Sequence, residues 1–188
     1  ETTLIQLTWR AGVAIVFDRE RFEPTGLFEY EGEGWGLCYD GEVLYMSDGS
    51  DIITIRDPET FDVLDTFPVT LEGEQVFNIN ELECVDDVIY ANLWMTDNIV
   101  RIDKASGVVN AVIDASGLLT NEERAELDPS AVLNGIAYNA EDDTFFITGK
   151  LWADMFEVVF VALDELEDTA NDAESTPEPD DTDAETND

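Results

Sequence analysis

The feature that most restricts the fold of this 188-residue chain is an internal repeat of short β-type segments. Runs such as "TLIQLTW", "VAIVFD", "WGLCYD", "EVLYMSD", "IITIRD", "VLDTFPV", "VIYANLW", "NIVRID", "VVNAVID", "GIAYNA", "TFFITGK" and "MFEVVF" alternate apolar with polar positions, are rich in β-branched residues and are separated by Asp/Gly turns. Laid over one another, "GWGLCYDGEVLYMSDGSDIITIRDPETFDVLDTFPV" matches "NELECVDDVIYANLWMTDNIVRIDKASGVVNAVIDA", and both match "LNGIAYNAEDDTFFITGKLWADMFEVVF". Leu44 and Ile89 are equivalent and lie about 45 residues apart, the length of a four-stranded propeller blade. The expected fold is all-β, a β-propeller of four-stranded antiparallel blades. The opening "TLIQLTWRAGVAIVFDRERFEPTGLFEY" supplies the later part of one more blade, so three to three and a half blades are expected. Such a partial ring leaves sheet edges at both ends, as the C-terminal portion of a larger propeller would.

One helix is expected, in "SGLLTNEERAEL", where Thr120 can cap a segment that has Glu123 at its third position. It is an insertion between the last two repeats. Composition changes abruptly near Leu163, after which "DELEDTANDAESTPEPDDTDAETND" has almost no large apolar residue. The expected organisation is a partial propeller over residues 1–163 and a disordered acidic tail over 164–188.

With 8 basic against 45 acidic residues, no His and a formal net charge of -37, the chain offers no basic face for nucleic acid or an anionic membrane. No apolar run approaches the ~20 residues of a membrane span. The acidic, lysine-poor body suits a protein kept soluble at high salt. Cys38 and Cys84 occupy similar places in neighbouring repeats, in "GLCYDG" and "LECVDD", outside any CxxC or Cys/His cluster. They are expected to be buried free thiols, and the lack of His removes most zinc chemistry.

Against this background a few residues stand out. Trp9, Trp94 and Lys150 fall just after the second strand of their repeats, and Trp35 and Asn80 fall just before the first. Equivalent positions in successive blades face one axis, so these five are expected at a common mouth. Taken singly, a Trp is most often core, an Asn before a strand is most often a turn residue, and a Lys is most often a surface partner of Glu. The coincidence of repeat positions is what favours a pocket. The other lysine, Lys104 in "DKASG", matches no pocket position and reads as a surface residue.

The segments "QLTWRAGVAIVFD", "GEGWGLCYDGEVLYMSDGS", "NELECVDDVIYANLWMTDNIVRID" and "LNGIAYNAEDDTFFITGKLW" resemble, in order and spacing, the plant and bacterial type of glutaminyl cyclase (glutaminyl-peptide cyclotransferase) from about Thr3 to Phe160. The resemblance implies a five-bladed propeller, monomeric at full length and periplasmic or secreted. It implies a metal-independent enzyme with no cofactor, whose partners are peptides or proteins with N-terminal Gln; these are cyclised to pyroglutamate with release of ammonia. On the matching positions it places Trp9, Trp35 and Trp94 in an aromatic pocket, Asn80 on the substrate amide or amine, and Lys150 as the pocket cation. The family's general acid/base is a glutamate in a Phe-Gly-Glu-Gly motif, which this resemblance places upstream of Glu1; without it the 188-residue chain is expected to turn over little or no substrate. Glu33, Glu81 and Glu83, near the expected mouth, read as solvated or structural carboxylates. Two other functions remain open: a propeller that binds peptide N-termini without turnover, and a calcium-dependent lactonase-like propeller with acidic channel ligands.

Overall fold

Asp side chains close several of the turns that divide the strands. Asp18 accepts the backbone N–H groups of Glu20 and Arg21, Asp40 those of Glu42 and Val43, and Asp57 those of Glu59 and Thr60. This is the Asx-turn chemistry that makes Asp a strand terminator. The computed structural model describes residues 2–162, so the tail expected over 164–188 lies outside the described residues.

The strands form four successive antiparallel meanders. β1 (Thr3–Leu7), β2 (Val13–Asp18) and β3 (Pro24–Glu29) make the first. β4 (Gly36–Tyr39), β5 (Leu44–Ser47), β6 (Ile52–Arg56) and β7 (Val63–Pro68) make the second. A small hairpin, β8 (Thr70–Leu71) and β9 (Glu74–Gln75), leads to the third sheet: β10 (Ile79–Val85), β11 (Val88–Leu93), β12 (Asn98–Asp103) and β13 (Val109–Asp114). The last is β14 (Val132–Asn139), β15 (Thr144–Lys150) and β16 (Met155–Val158). Two complete blades and two three-stranded ones make a partial β-propeller, in agreement with the repeat. All of these strands lie in the unit that ends at Val158.

The helix is present but short. Ser116–Leu118 is a 3-10 turn, and α1 covers Asn121–Glu126 with Thr120 and Glu123 forming the reciprocal cap that the sequence implied. Arg124 of α1 forks onto Asp97 at 3.0 Å from both oxygens and donates to the Ser116 carbonyl, which ties the insertion to the third blade.

The first strands of successive blades lie side by side, with β10 between β4 and β14. Alternation then decides what meets across each junction. Tyr39 pairs with Leu44 and Cys84 pairs with Ile89, so Cys84 is the repeat equivalent of Tyr39, and Cys38 that of Glu83. Gly36 and Cys38 therefore face the third blade, as Glu81 and Glu83 face the fourth. A Cβ at Gly36 would lie 2.1 Å from the Asn80 carbonyl oxygen, so only Gly permits this approach of β4 to β10.

The expectation of free thiols is overturned at this junction. Cys38 and Cys84 are disulfide-bonded, with Cα atoms 5.5 Å apart and a sequence separation of 46. That separation is one residue more than the repeat, and one residue reverses the face of a strand. Cys38 looks forward to the third blade while Cys84 looks back to the second. Lys104 also differs from its reading as a surface residue: its side chain is only 11% exposed, and its Nζ donates to Asp40 at 3.1 Å and to the Asp86 carbonyl at 2.7 Å. It is a strut between the second and third blades.

The core follows the same junctions. Ile53, Val69, Ile79, Leu82, Ile89, Val100 and Ile102 fill the space between the second and third blades, and each such side chain contributes roughly 1.5–3 kcal/mol on burial. Phe61, Tyr30, Leu44 and Met46 fill the space between the first and second, with Phe28 stacked on Phe61 at 5.2 Å.

Candidate functional site

The ends of the strands that carry Trp9, Trp35, Asn80, Trp94 and Lys150 converge, and all five side chains line one cavity of about 260 Å³. They come from four different blades. Gly34 and Asn134 complete the lining. Trp9 follows β1, Trp94 follows β11 and Lys150 ends β15, the second strands of their blades, whereas Trp35, Asn80 and Asn134 belong to the beginnings of first strands.

In the second blade the repeat equivalent of Trp94 is Gly49, and the reason is steric. Gly49 has φ +86°, and a Cβ there would lie 2.6 to 2.8 Å from three atoms of the Trp35 indole. Trp35 occupies the space that a side chain at Gly49 would take. It meets Trp94 edge to face, with centroids 5.5 Å apart and an interplanar angle of 79°.

Glu33 fixes the other two indoles relative to each other. Its Oε2 accepts from Trp9 Nε1 at 2.6 Å and from Trp35 Nε1 at 2.9 Å, while Oε1 accepts from Arg10 Nε at 2.9 Å. The Arg10 guanidinium lies over the Trp9 ring, 3.9 Å from its centroid. The Trp35 indole N–H, then Arg10 and Trp9, hold the Glu33 carboxyl below its ordinary value. Glu33 is thus an anionic bracket for the aromatic wall, its carboxylate committed to these donors.

Glu81 and Glu83 have a different task. Glu81 accepts the Ile136 N–H at 2.9 Å and Glu83 accepts the Tyr138 N–H at 2.9 Å, so both carboxyls stitch β10 to β14. Burial pushes Glu81 up to about 8 and raises Glu83, against the lowering effect of those hydrogen bonds. Neither side chain lines the cavity.

Both first strands carry a register shift at the cavity. It falls between Ile79 and Leu82 in β10 and between Leu133 and Ile136 in β14. Each bulge presents an asparagine, Asn80 or Asn134. Asn134 was missed in the sequence, although aligning "INEL" with "LNGI" marks it as the equivalent of Asn80. Ring walls, two amides and one ammonium make an open cavity able to take a small polar group, with a cation where negative charge can develop. Among the described residues, no carboxylate lines the cavity.

Residues 1–160 match the model of the glutamine cyclotransferase family. The chain belongs to that family. It is 34% identical over 160 residues to a glutaminyl-peptide cyclotransferase of Arabidopsis thaliana, a match that covers 82% of this chain and 49% of the relative. It also superposes on the crystal structure of Myxococcus xanthus glutaminyl cyclase with a TM-score of 0.80 and 42% identity, covering 85% of this chain and 70% of that one. The chain spans about half the length of the curated relative. Both relatives are named as cyclases of glutaminyl groups, and the all-β scaffold is what this chain shares with the solved one.

Proposed function

We propose that the cavity takes the N-terminal glutaminyl residue of a peptide and that the protein converts it to pyroglutamate with release of ammonia. The observation that carries this reading is the convergence of Trp9, Trp35, Asn80, Trp94 and Lys150, drawn from four blades, on one cavity within a glutamine cyclotransferase scaffold. In the reaction the neutral α-amine attacks the side-chain amide carbon. A bond forms from the amine nitrogen to that carbon, the carbon–nitrogen bond of the carboxamide breaks, and one proton passes from the amine to the departing nitrogen.

The three indoles hold the flexible substrate side chain folded for attack, and such positioning can supply much of the rate of an intramolecular closure. Lys150 stabilises negative charge on the amide oxygen, and Asn80 bonds the amide or amine. We assign the proton transfer to a glutamate in a Phe-Gly-Glu-Gly motif; that motif is not among the 188 residues. The Cys38–Cys84 bridge suits a periplasmic or secreted protein, since disulfides persist in oxidising compartments. The lactonase-like alternative gives no role to the three tryptophans and the lysine that line the cavity, since a calcium site is built from oxygen ligands.

The test is to incubate a Gln-initiated peptide with the 188-residue chain, and with the chain extended by the residues preceding Glu1 in its gene. Ammonia and the mass loss of one ammonia from the peptide are followed. Turnover is expected in the extended protein, and Lys150→Met should lower it about 10²–10³-fold. Arg19→Met, at the far end of β2 from Trp9, is the charge-matched control and should leave the rate within about twofold. Peptide binding without ammonia release in the extended protein would favour the non-catalytic binding module. Equal effects of the two substitutions would remove the case for Lys150.

A further inference from the structure

A second cavity, of about 280 Å³, lies next to the first, at the junction of the third and fourth blades. The walls of the two run together in three places: Met95 of the second follows Trp94 of the first, Leu133 precedes Asn134, and Val132 pairs with Lys150 across β14 and β15. Trp152 also lines the second cavity, and its indole packs on Gly149, the residue before Lys150, where a Cβ would lie 2.2 Å from Cε2. The remaining wall is the insertion that carries α1, through Leu127, Asp128 and Pro129.

Two features of this cavity go unused by the fold. Met95 is 60% exposed and holds φ +68°, and its repeat equivalent Leu151, which follows Lys150, is 62% exposed with φ +63°. Left-handed backbone is unfavourable for residues of this kind, and here it serves to hold large apolar side chains in water beside the mouth. The charges of the wall do not cancel either. Arg124 is matched by Asp97, which it bonds through both oxygens at 3.0 Å. Asp128 bonds only neutral groups among the described residues: its Oδ1 accepts from the hydroxyl and the N–H of Ser130, and these bonds hold its carboxyl below the ordinary value, ionised at neutral pH.

We propose that the second cavity is a subsite for a basic side chain, Lys or Arg, in the residues that follow the N-terminal Gln of the substrate. Such a side chain has what the cavity lacks: an aliphatic stem to cover Met95, Leu127 and Trp152, and a cationic head for the Asp128 carboxylate. An acidic side chain in the same place meets a like charge and is disfavoured. The inference rests on the glutaminyl reading of the first cavity, whose walls this one continues.

The experiment compares peptides in which an N-terminal Gln is followed by a pair of Lys or a pair of Glu, together with counterparts that begin with Ala. Binding to the 188-residue chain is followed by tryptophan fluorescence at physiological ionic strength. The Gln peptide with Lys is expected to bind more tightly than the one with Glu. Asp128→Asn keeps an oxygen for Ser130 and removes the charge, and it should cut that preference about two- to fivefold. Glu141→Gln removes the same charge from the turn between β14 and β15, at the other end of β15 from Lys150, and should leave the preference unchanged. Met95→Ser should weaken the Lys peptide by several-fold. Thermal melting identifies variants that fail to fold, and Asp128→Ser replaces Asp128→Asn if that one does, with the same outcome expected. Equal effects at Asp128 and Glu141 would show only the general field of an acidic protein and would overturn the subsite while leaving the glutaminyl reading intact, as would a preference that Asp128→Asn leaves untouched. If the Gln peptides bind no better than their Ala counterparts, the glutaminyl reading falls and the inference falls with it.

Discussion

Replacing Glu81 by Gln should make the protein more stable at neutral pH and leave it little changed near pH 4.5. Glu81 sits at the junction of β10 and β14, half-buried, accepting the Ile136 N–H, and burial pushes its carboxyl from the ordinary 4.5 up to about 8. A carboxyl whose folded value is raised holds its proton more tightly in the folded state. Its favourable contribution is complete below about 4.5 and is lost as pH rises through about 8. At about 1.36 kcal/mol per pH unit, ionisation pressure at pH 7 costs the folded state roughly 3 kcal/mol, less whatever water still reaches the carboxylate. Glutamine keeps an oxygen to accept from Ile136 and has nothing to ionise. Urea unfolding of both proteins under non-reducing conditions, from pH 5 to pH 8 at constant ionic strength, is the assay. With a urea slope of about 2 kcal/mol per molar, the midpoint of Glu81→Gln should exceed that of the parent by about 1 M at pH 7 to 8, and the two should converge toward pH 5. A constant offset across this range would show that Glu81 ionises in the folded protein at no cost, and the account of the junction would be wrong.

Two further outcomes follow from the same geometry. Reduction of the Cys38–Cys84 bridge, or its replacement by two alanines, should cost roughly 4 kcal/mol for a closed loop of this length, read as a fall in Tm on adding reductant that the double variant does not show. Glu33→Ala should free the indoles of Trp9 and Trp35, changing the tryptophan emission and weakening binding of the Gln peptide by several-fold while the Tm moves little; an unchanged spectrum and affinity would mean that the bracket does not order the aromatic wall.

The strands, their grouping into blades and the helix cap were legible in the sequence because each depends on neighbours within a few residues. Alternation marks the strands, Asp and Gly mark the turns, and Thr120 with Glu123 marks the helix start. The cavity was legible for a second reason: in a propeller, equivalence in the repeat is equivalence in space, so Trp9, Trp35, Asn80, Trp94 and Lys150 could be brought together on paper. The same rule reaches Asn134 once "LNGI" is aligned with "INEL". What tertiary structure alone decided lies at the junctions between blades. There the pairing depends on which face of a strand a residue occupies and on how closely two backbones approach. A single residue of offset turned Cys38 and Cys84 toward each other, Gly36 let β4 close on β10, and Lys104 proved to be a strut between turns 18 residues apart or more. Glu33 shows the limit most plainly: its sequence neighbours mark it as one more exposed acid, and only the fold brings the indoles of Trp9 and Trp35 to the same oxygen.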